Sequence, residues 1–359
     1  MDTYFDRDFI ETPEGFLFCV IGCVHPRDRV ISYLKYVPDP EGKWGREERR
    51  FRRTMQTYSV PQVLSNVEML KEKYPQYVFN SRVMSITMSA VPKRLVSRHY
   101  KPRERLSQLL MCNVRDELEQ DVVALVNELS QESKVCKPSF GITGSVLTDT
   151  HHVDFSDIDI TVYGLSNSTK IKNAILSKFD DSSSNFKPLT GVVYSRTVAR
   201  WKQNYGLTSQ EAGWFADRKW NRGIFRDRLF SLHPVPSAEE IKQKYGDSLF
   251  YPHRIVEGEA LVIDSTESVF LPSLYRLNIV RIKPHFAFNI EDMVSYEGFY
   301  SGVFNVGDSV IFRGMLERVI DRDTRKETWR ILIGSVEAKG RDYILPNLDN
   351  HNPRIVKDR

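Results

Sequence analysis

The chain has 359 residues, 51 Lys and Arg against 47 Asp and Glu, and 41% hydrophobic residues. That length supports more than one domain with a sizeable core, and that composition excludes wholesale disorder. No apolar run reaches the roughly 20 residues a bilayer span needs. The polar opening, residues 1–8, lacks the apolar stretch of a signal peptide. A cytoplasmic chain without a membrane partner is the expectation. The net charge of +4 does not by itself point to nucleic acid.

Residues 1–104 read as an N-terminal α/β accessory domain. An apolar run over 16–24 and a Val-, Ile- and Tyr-rich run over 29–37 meet at His25-Pro26-Arg27-Asp28, which predicts a hairpin. Cys19 and Cys23 lie in the first run. The four cysteines include no Cys-x-x-Cys pair, and Cys112 and Cys136 stand alone, so zinc is not expected and the first two read as small core residues. Residues 60–74 place Val63, Val67 and Leu70 at helical spacing, with Pro61 suited to a first turn. Two basic stretches flank this helix. Residues 43–53 hold Arg46, Arg49, Arg50, Arg52 and Arg53 with Trp44 and Phe51; residues 93–105 hold Lys93, Arg94, Arg98, Lys101, Arg103 and Arg105 around Tyr100. Interleaved cations and aromatics suit an RNA backbone and its bases, although charge runs are more often solvated faces.

Residues 105–250 alternate helical and strand patterns. Apolar residues from Leu106 to Leu129 keep a helical period and predict one amphipathic helix. Strands are expected over 140–143, 158–163 and 229–234, and helices over 170–179 and 209–220. Residues 251–346 read as all-β, with strands over 255–264, 269–271 and 276–282. Short apolar runs between turns over 296–345 then have the rhythm of a small β-barrel. Residues 347–359 form a polar tail.

Chemistry concentrates in residues 141–164. Gly144-Ser145 ends a strand and opens a turn, where backbone N–H groups and a hydroxyl can meet a phosphate. Asp157 and Asp159 are two apart in a strand, so both carboxylates share one face while Ile158, Ile160 and Val162 take the other. Adjacent carboxylates repel unless a cation joins them, and Mg²⁺ or Mn²⁺ suits oxygen donors. The plainer alternative is a glycine turn followed by an edge strand with a solvated Asp-x-Asp face.

Eleven residues separate Ser145 from Asp157. In Gly144-Ser145 and Ser156-Asp157-Ile158-Asp159-Ile160 the chain resembles the DNA polymerase β-like nucleotidyltransferase superfamily. A longer similarity, partly through His25-Pro26-Arg27-Asp28-Arg29-Val30-Ile31, is to archaeal predicted nucleotidyltransferases. The resemblance implies an α+β chain whose central mixed sheet with helices is flanked by the N-terminal β-containing domain and a C-terminal small β-barrel-like domain. It implies transfer of a nucleoside monophosphate from an NTP to an acceptor hydroxyl with release of pyrophosphate. Asp157 and Asp159 are then the catalytic and metal-binding residues, and Gly144 and Ser145 bind the nucleotide. The acceptor stays open, RNA among the candidates.

The superfamily also uses a third carboxylate from a later strand. Residues 229–233 offer none, and Asp227, Glu257, Glu259 and Asp264 remain alternatives. If none reaches the site, a non-catalytic RNA-binding protein on a degenerate transferase core is the competing expectation; a protein-modifying transferase is another. His151 and His152 read as a solvated pair or as part of the site, and Asp154 as a turn residue. Arg218, Lys219, Trp220 and Arg222 read as a charged helix end with a buried Trp, or as contacts to phosphate or acceptor.

Overall fold

The computed structural model describes residues 3–46, 48–57, 59–111 and 116–348, except for the side chain of Arg46. Cys112 and most of the polar tail lie outside these residues. The fold is α+β, with three sheets drawn from successive stretches of chain. Among the described residues no helix is long and apolar enough to cross a membrane.

The first sheet contains β1 (Phe9–Glu11), β2 (Leu17–Val20), β3 (Arg29–Pro38), β4 (Trp44–Arg46) and β5 (Arg49–Arg53). After α1 (Val60–Lys73) it adds β6 (Val78–Ser81), β7 (Ile86–Pro92) and β8 (Arg98–Tyr100). The expected hairpin is β2–β3, with Cys19 opposite Tyr33. Cys19 is buried there, as a small core residue. The first basic stretch folds into the β4–β5 hairpin, pairing Trp44 with Phe51. Strand alternation buries Phe51 and turns its flanking arginines outward.

The second sheet follows α2 (Pro102–Met111) and α3 (Glu117–Ser133). It comprises β9 (Phe140–Ile142), β10 (Ile158–Tyr163), β11 (Phe186–Lys187), β12 (Arg222–Phe225) and β13 (Arg228–Val235). Helices α4 (Gly144–Leu147), α5 (Leu165–Asp180), α6 (Gly191–Tyr205) and α7 (Ser209–Arg218) lie between its strands. The order is β11-β12-β13-β10-β9, with β10 and β13 parallel.

The single helix expected from Leu106 to Leu129 is two helices. Asp116 is extended and its side chain accepts the Glu119 N–H at 3.0 Å, so it caps α3. The apolar period runs across the break and hides it. Helix α6 was not expected, although Tyr194, Val198, Trp201 and Tyr205 recur along it at helical spacing and pack on the barrel core.

The third sheet comprises β14 (Ser248–Asp264), β15 (Ser273–Lys283), β16 (Ile290–Ser295), β17 (Ser309–Asp321), β18 (Glu327–Ile333) and β19 (Tyr343–Pro346). Its order is β14-β15-β16-β18-β17, and β14 pairs again with β17, closing a five-stranded barrel with β19 on its rim. Strands β16 and β18 are parallel. The strand expected over 269–271 is instead the end of a helical turn, where Ser268 Oγ donates to Ser265 O at 2.6 Å. Trp201, Ala212 and Phe215 of α6 and α7 share the barrel core with Val256, Tyr275 and Ile331.

The barrel also touches the first helix. Ser59 makes no side-chain cap on α1; Glu297 accepts the Val60 N–H instead. Burial, then the Asp342 charge, pushes the Glu297 pKa up from 4.5 to about 7. A raised carboxylate contributes stability fully below its unfolded pKa and loses it as pH rises through the folded value. Thermal stability is therefore expected to fall between about pH 4.5 and 7, by about 1–2 kcal/mol after allowance for solvent screening. Glu297→Gln should remove that slope in melts across this range; an unchanged slope would contradict the assignment.

Candidate functional site

Strand β9 delivers the chain into α4 at Gly144, whose φ of +66° favours glycine. A Cβ built on Gly144 would lie 2.4 Å from Asp159 Oδ2, so the turn backbone sits directly against that carboxylate. Ser145 follows, buried. Thr143 N–H donates to the Asp159 carbonyl at 2.8 Å. Thr143 Oγ1 donates to the Arg7 carbonyl at 2.6 Å, which ties the turn to the first sheet.

Asp157 immediately precedes β10 and is exposed; Asp159 lies within the strand and is half-buried. Ile158, Ile160 and Val162 are buried on the opposite face. Parallel pairing sets Ser231 of β13 level with Asp159. Ser231 Oγ donates to Asp159 Oδ1 and lies 2.8 Å from His233 Nε2. His233 Nε2 is 3.5 Å from the same Asp159 oxygen.

The two carboxylates differ electrostatically. Burial opposes ionisation of Asp159, but the His233 hydrogen bond, then the Lys35 charge and the Ser231 hydrogen bond, hold its carboxyl below the usual range. Burial, then the Arg7 charge, lowers His233 to about 4, so its imidazole is neutral at physiological pH. Asp157 is shifted upward, first by desolvation among its neighbours and then by the Asp159 charge. Arg222 and Arg53 oppose that rise. Arg200 feels Arg222 and Asp157 as well. Cations from β3 (Lys35), β5 (Arg53), α6 (Arg200) and β12 (Arg222) thus surround one pair of acids.

Aromatic rings stand beside Arg53. Arg53 stacks over Trp44 at 4.6 Å. Phe155 meets Trp44 edge-on at 6.1 Å, and His152 stacks on Phe155 at 4.6 Å. The Gly45 N–H donates to the Thr150 carbonyl at 2.8 Å and holds the hairpin to this loop.

The structure brings together Gly144, Ser145, Asp157 and Asp159. The third-carboxylate candidates lie elsewhere or are engaged. Asp227 is in the exposed β12–β13 turn. Glu257 accepts from Arg313 at 3.0 Å, Glu259 pairs with Arg281, and Asp264 accepts the Thr266 N–H at 2.8 Å, all within the barrel. His151 is not solvated: it is buried, with Nε2 3.0 Å from Asp116 Oδ2. Asp116, Glu119 and His151 place ligand atoms within 4.8 Å of one another. Glu119 there holds Arg105 at 2.8 Å. His152 is exposed, and Asp154 is an exposed turn residue 3.5 Å from it.

The basic segment after α7 divides. Arg218 pairs with Asp308 and Trp220 is buried, as a charged helix end with a buried Trp predicts. Lys219 is not a phosphate contact: it is buried and donates to the Gly298 and Ser301 carbonyls of the barrel at 3.0 and 2.9 Å. Burial, then Arg222, holds its pKa well below the ordinary value. Lys219→Met strands both acceptors and is expected to cost about 1–3 kcal/mol in urea unfolding. A wild-type midpoint would exclude this bridging role. Arg222 alone of this segment turns toward the acids.

Sequence reasoning missed Lys35, Arg200, Ser231 and His233 as site residues. Lys35 had a signal: it is a lone lysine in an apolar strand, and such a group is buried only beside a partner. The others are brought in by tertiary contacts alone.

A chain from Methanocaldococcus jannaschii, "Uncharacterized protein MJ1086", is 28% identical over 340 residues, covering 94% of this chain and 97% of its own length. No family model matches the chain, and no solved structure matches it. The similarity to the archaeal protein therefore takes in all three sheets.

Proposed function

We propose that the chain is a metal-dependent nucleotidyltransferase, moving a nucleoside monophosphate from an NTP to an acceptor hydroxyl at Asp157 and Asp159. The observation that carries this reading is the contact between the Gly144 backbone and the Asp159 carboxylate. It joins the turn suited to phosphates to the acids suited to a cation.

The residues fit Mg²⁺ or Mn²⁺: the donors are carboxylate oxygens, and the Asp159 charge raises Asp157, a repulsion a divalent cation relieves. Asp157 and Asp159 would hold the ion, which when bound acidifies an attacking hydroxyl and neutralises phosphate charge. Gly144 allows close approach of the backbone to the phosphates, and Ser145 adds a hydroxyl. Arg53, Arg222 and Lys35 supply positive charge where pyrophosphate leaves. Ser231 and His233 fix the orientation of Asp159.

One observation favours a second reading, a non-catalytic RNA-binding protein on a degenerate transferase core. Strand β13 carries no acid, and Ser231 and His233 occupy the positions beside Asp159. The deciding assay supplies each α-³²P-labelled NTP with Mg²⁺ or Mn²⁺ and pools of RNA, protein or small molecules. Label in any pool supports transfer and reveals the acceptor class. RNA binding without label in any pool supports the second reading. Absence of both metal-dependent NTP binding and transfer overturns the first.

A further inference from the structure

We propose that the C-terminal barrel binds single-stranded RNA at the end formed by residues 284–289 and 322–326. This inference rests on the barrel alone and not on the transferase reading.

Numbered within the barrel, the strands close in the order 1-2-3-5-4-1, with the third and fifth parallel. That arrangement is the five-stranded Greek-key closure of OB-type barrels, whose second and third strands, with the first-to-second and fourth-to-fifth loops, take oligonucleotides. Here the second and third strands, β15 and β16, pair only from Ser273 to Arg276. Beyond that point they part, and an open groove of about 450 Å³ lies along residues 277–290.

Aromatic rings stand at the mouth of this groove. Phe288 is 61% exposed and stacks on Trp329 of β18, with ring centroids 5.8 Å apart and planes at 20°. Phe286 packs edge-on against Trp329 at 4.7 Å. Arg254 lies over Phe286 at 5.7 Å and donates to the His285 carbonyl at 2.9 Å. A ring as exposed as Phe288 gains little from the barrel core; its face is available to a base.

The loop over 322–326 holds Arg322, Arg325 and Lys326 against Asp323, between Asp321 and Glu327. Lys283 adjoins the other loop in sequence, while Arg281 is paired to Glu259. The opposite end holds Glu267, Glu297, Glu337 and Asp342 against Lys339 and Arg341, and α6 and α7 pack on the barrel core. Rings for stacking beside cations for phosphates are the two components of sequence-tolerant single-strand binding.

The test is fluorescence anisotropy of the full chain with a labelled single-stranded RNA about twelve nucleotides long. It is run in EDTA without NTP, so it reads nothing of the Asp157–Asp159 site. The same strand as duplex is the comparison. Wild type should bind the single strand in preference to the duplex. Phe288→Ala should weaken binding about tenfold. Arg325→Gln/Lys326→Gln should reduce the slope of log affinity against log salt by about 1.4, from about 0.7 per phosphate contact. Both changes lie at exposed loop positions, and coincident thermal melts check the fold. Equal binding of duplex, no binding by wild type, or wild-type affinity in both variants overturns the proposal. That last result would place any RNA contact on the basic β4–β5 hairpin.

Discussion

Asp157→Ala/Asp159→Ala is expected to lose at least about 10³-fold in nucleotide transfer while remaining folded. Asp159 lies in the β10–β13 pairing against the Gly144 turn, and Asp157 immediately precedes that strand. Without them β10 and β13 offer a cation no carboxylate oxygen. The same substitution leaves Arg53, Arg222 and Lys35 with no acids to oppose, so the site becomes strongly positive. Binding of NTP without metal should then persist or tighten, while metal-dependent binding disappears. This split separates a lost metal site from a collapsed fold. Some stability should be lost, because the lowered Asp159 pKa shows that its partners outweigh its desolvation, while exposed Asp157 adds little. Transfer retained by the double variant would end the assignment of these acids.

The parts of this site that could be read from sequence are those written into one short stretch of chain. Period two fixed the face of Asp157 and Asp159, and Gly144-Ser145 marked the turn before them. Strands β10 and β13 were legible because Ile158, Ile160 and Val162, and likewise Phe230 and Leu232, are apolar at alternate positions. Long-range geometry was not legible. Nothing local indicates that Lys35 and Arg53 of the first sheet approach acids more than a hundred residues later. Whether Lys219 ends a helix or meets phosphate was not legible either, because burial is invisible in a basic run. The small C-terminal barrel was legible in the rhythm of its short strands, whereas the pairing that closes it, β14 with both β15 and β17, was not. The break before α3 failed for a different reason: Asp116 acts through its cap, while the hydrophobic period continues past it.

Gly144→Ala is the sharper probe of the same geometry, and it is expected to cost both stability and function. Positive φ strains any L residue, by about 1–2 kcal/mol. The added Cβ would also lie 2.4 Å from Asp159 Oδ2, which forces the carboxylate to move. That oxygen cannot shift freely, because its partner Oδ1 accepts from Ser231 and faces His233. The turn and the acid must separate, and metal and phosphates would no longer share one site. Transfer should fall by at least about 10²-fold. Gly191→Ala supplies the control: its φ is +56°, yet a Cβ there meets nothing within 4 Å. It should show the strain alone, in thermal melts, with transfer unchanged. If Gly144→Ala behaves like Gly191→Ala, close approach of the turn to Asp159 has no functional meaning. If it loses transfer with a melt matching that of Gly191→Ala, the contact itself is what the reaction requires.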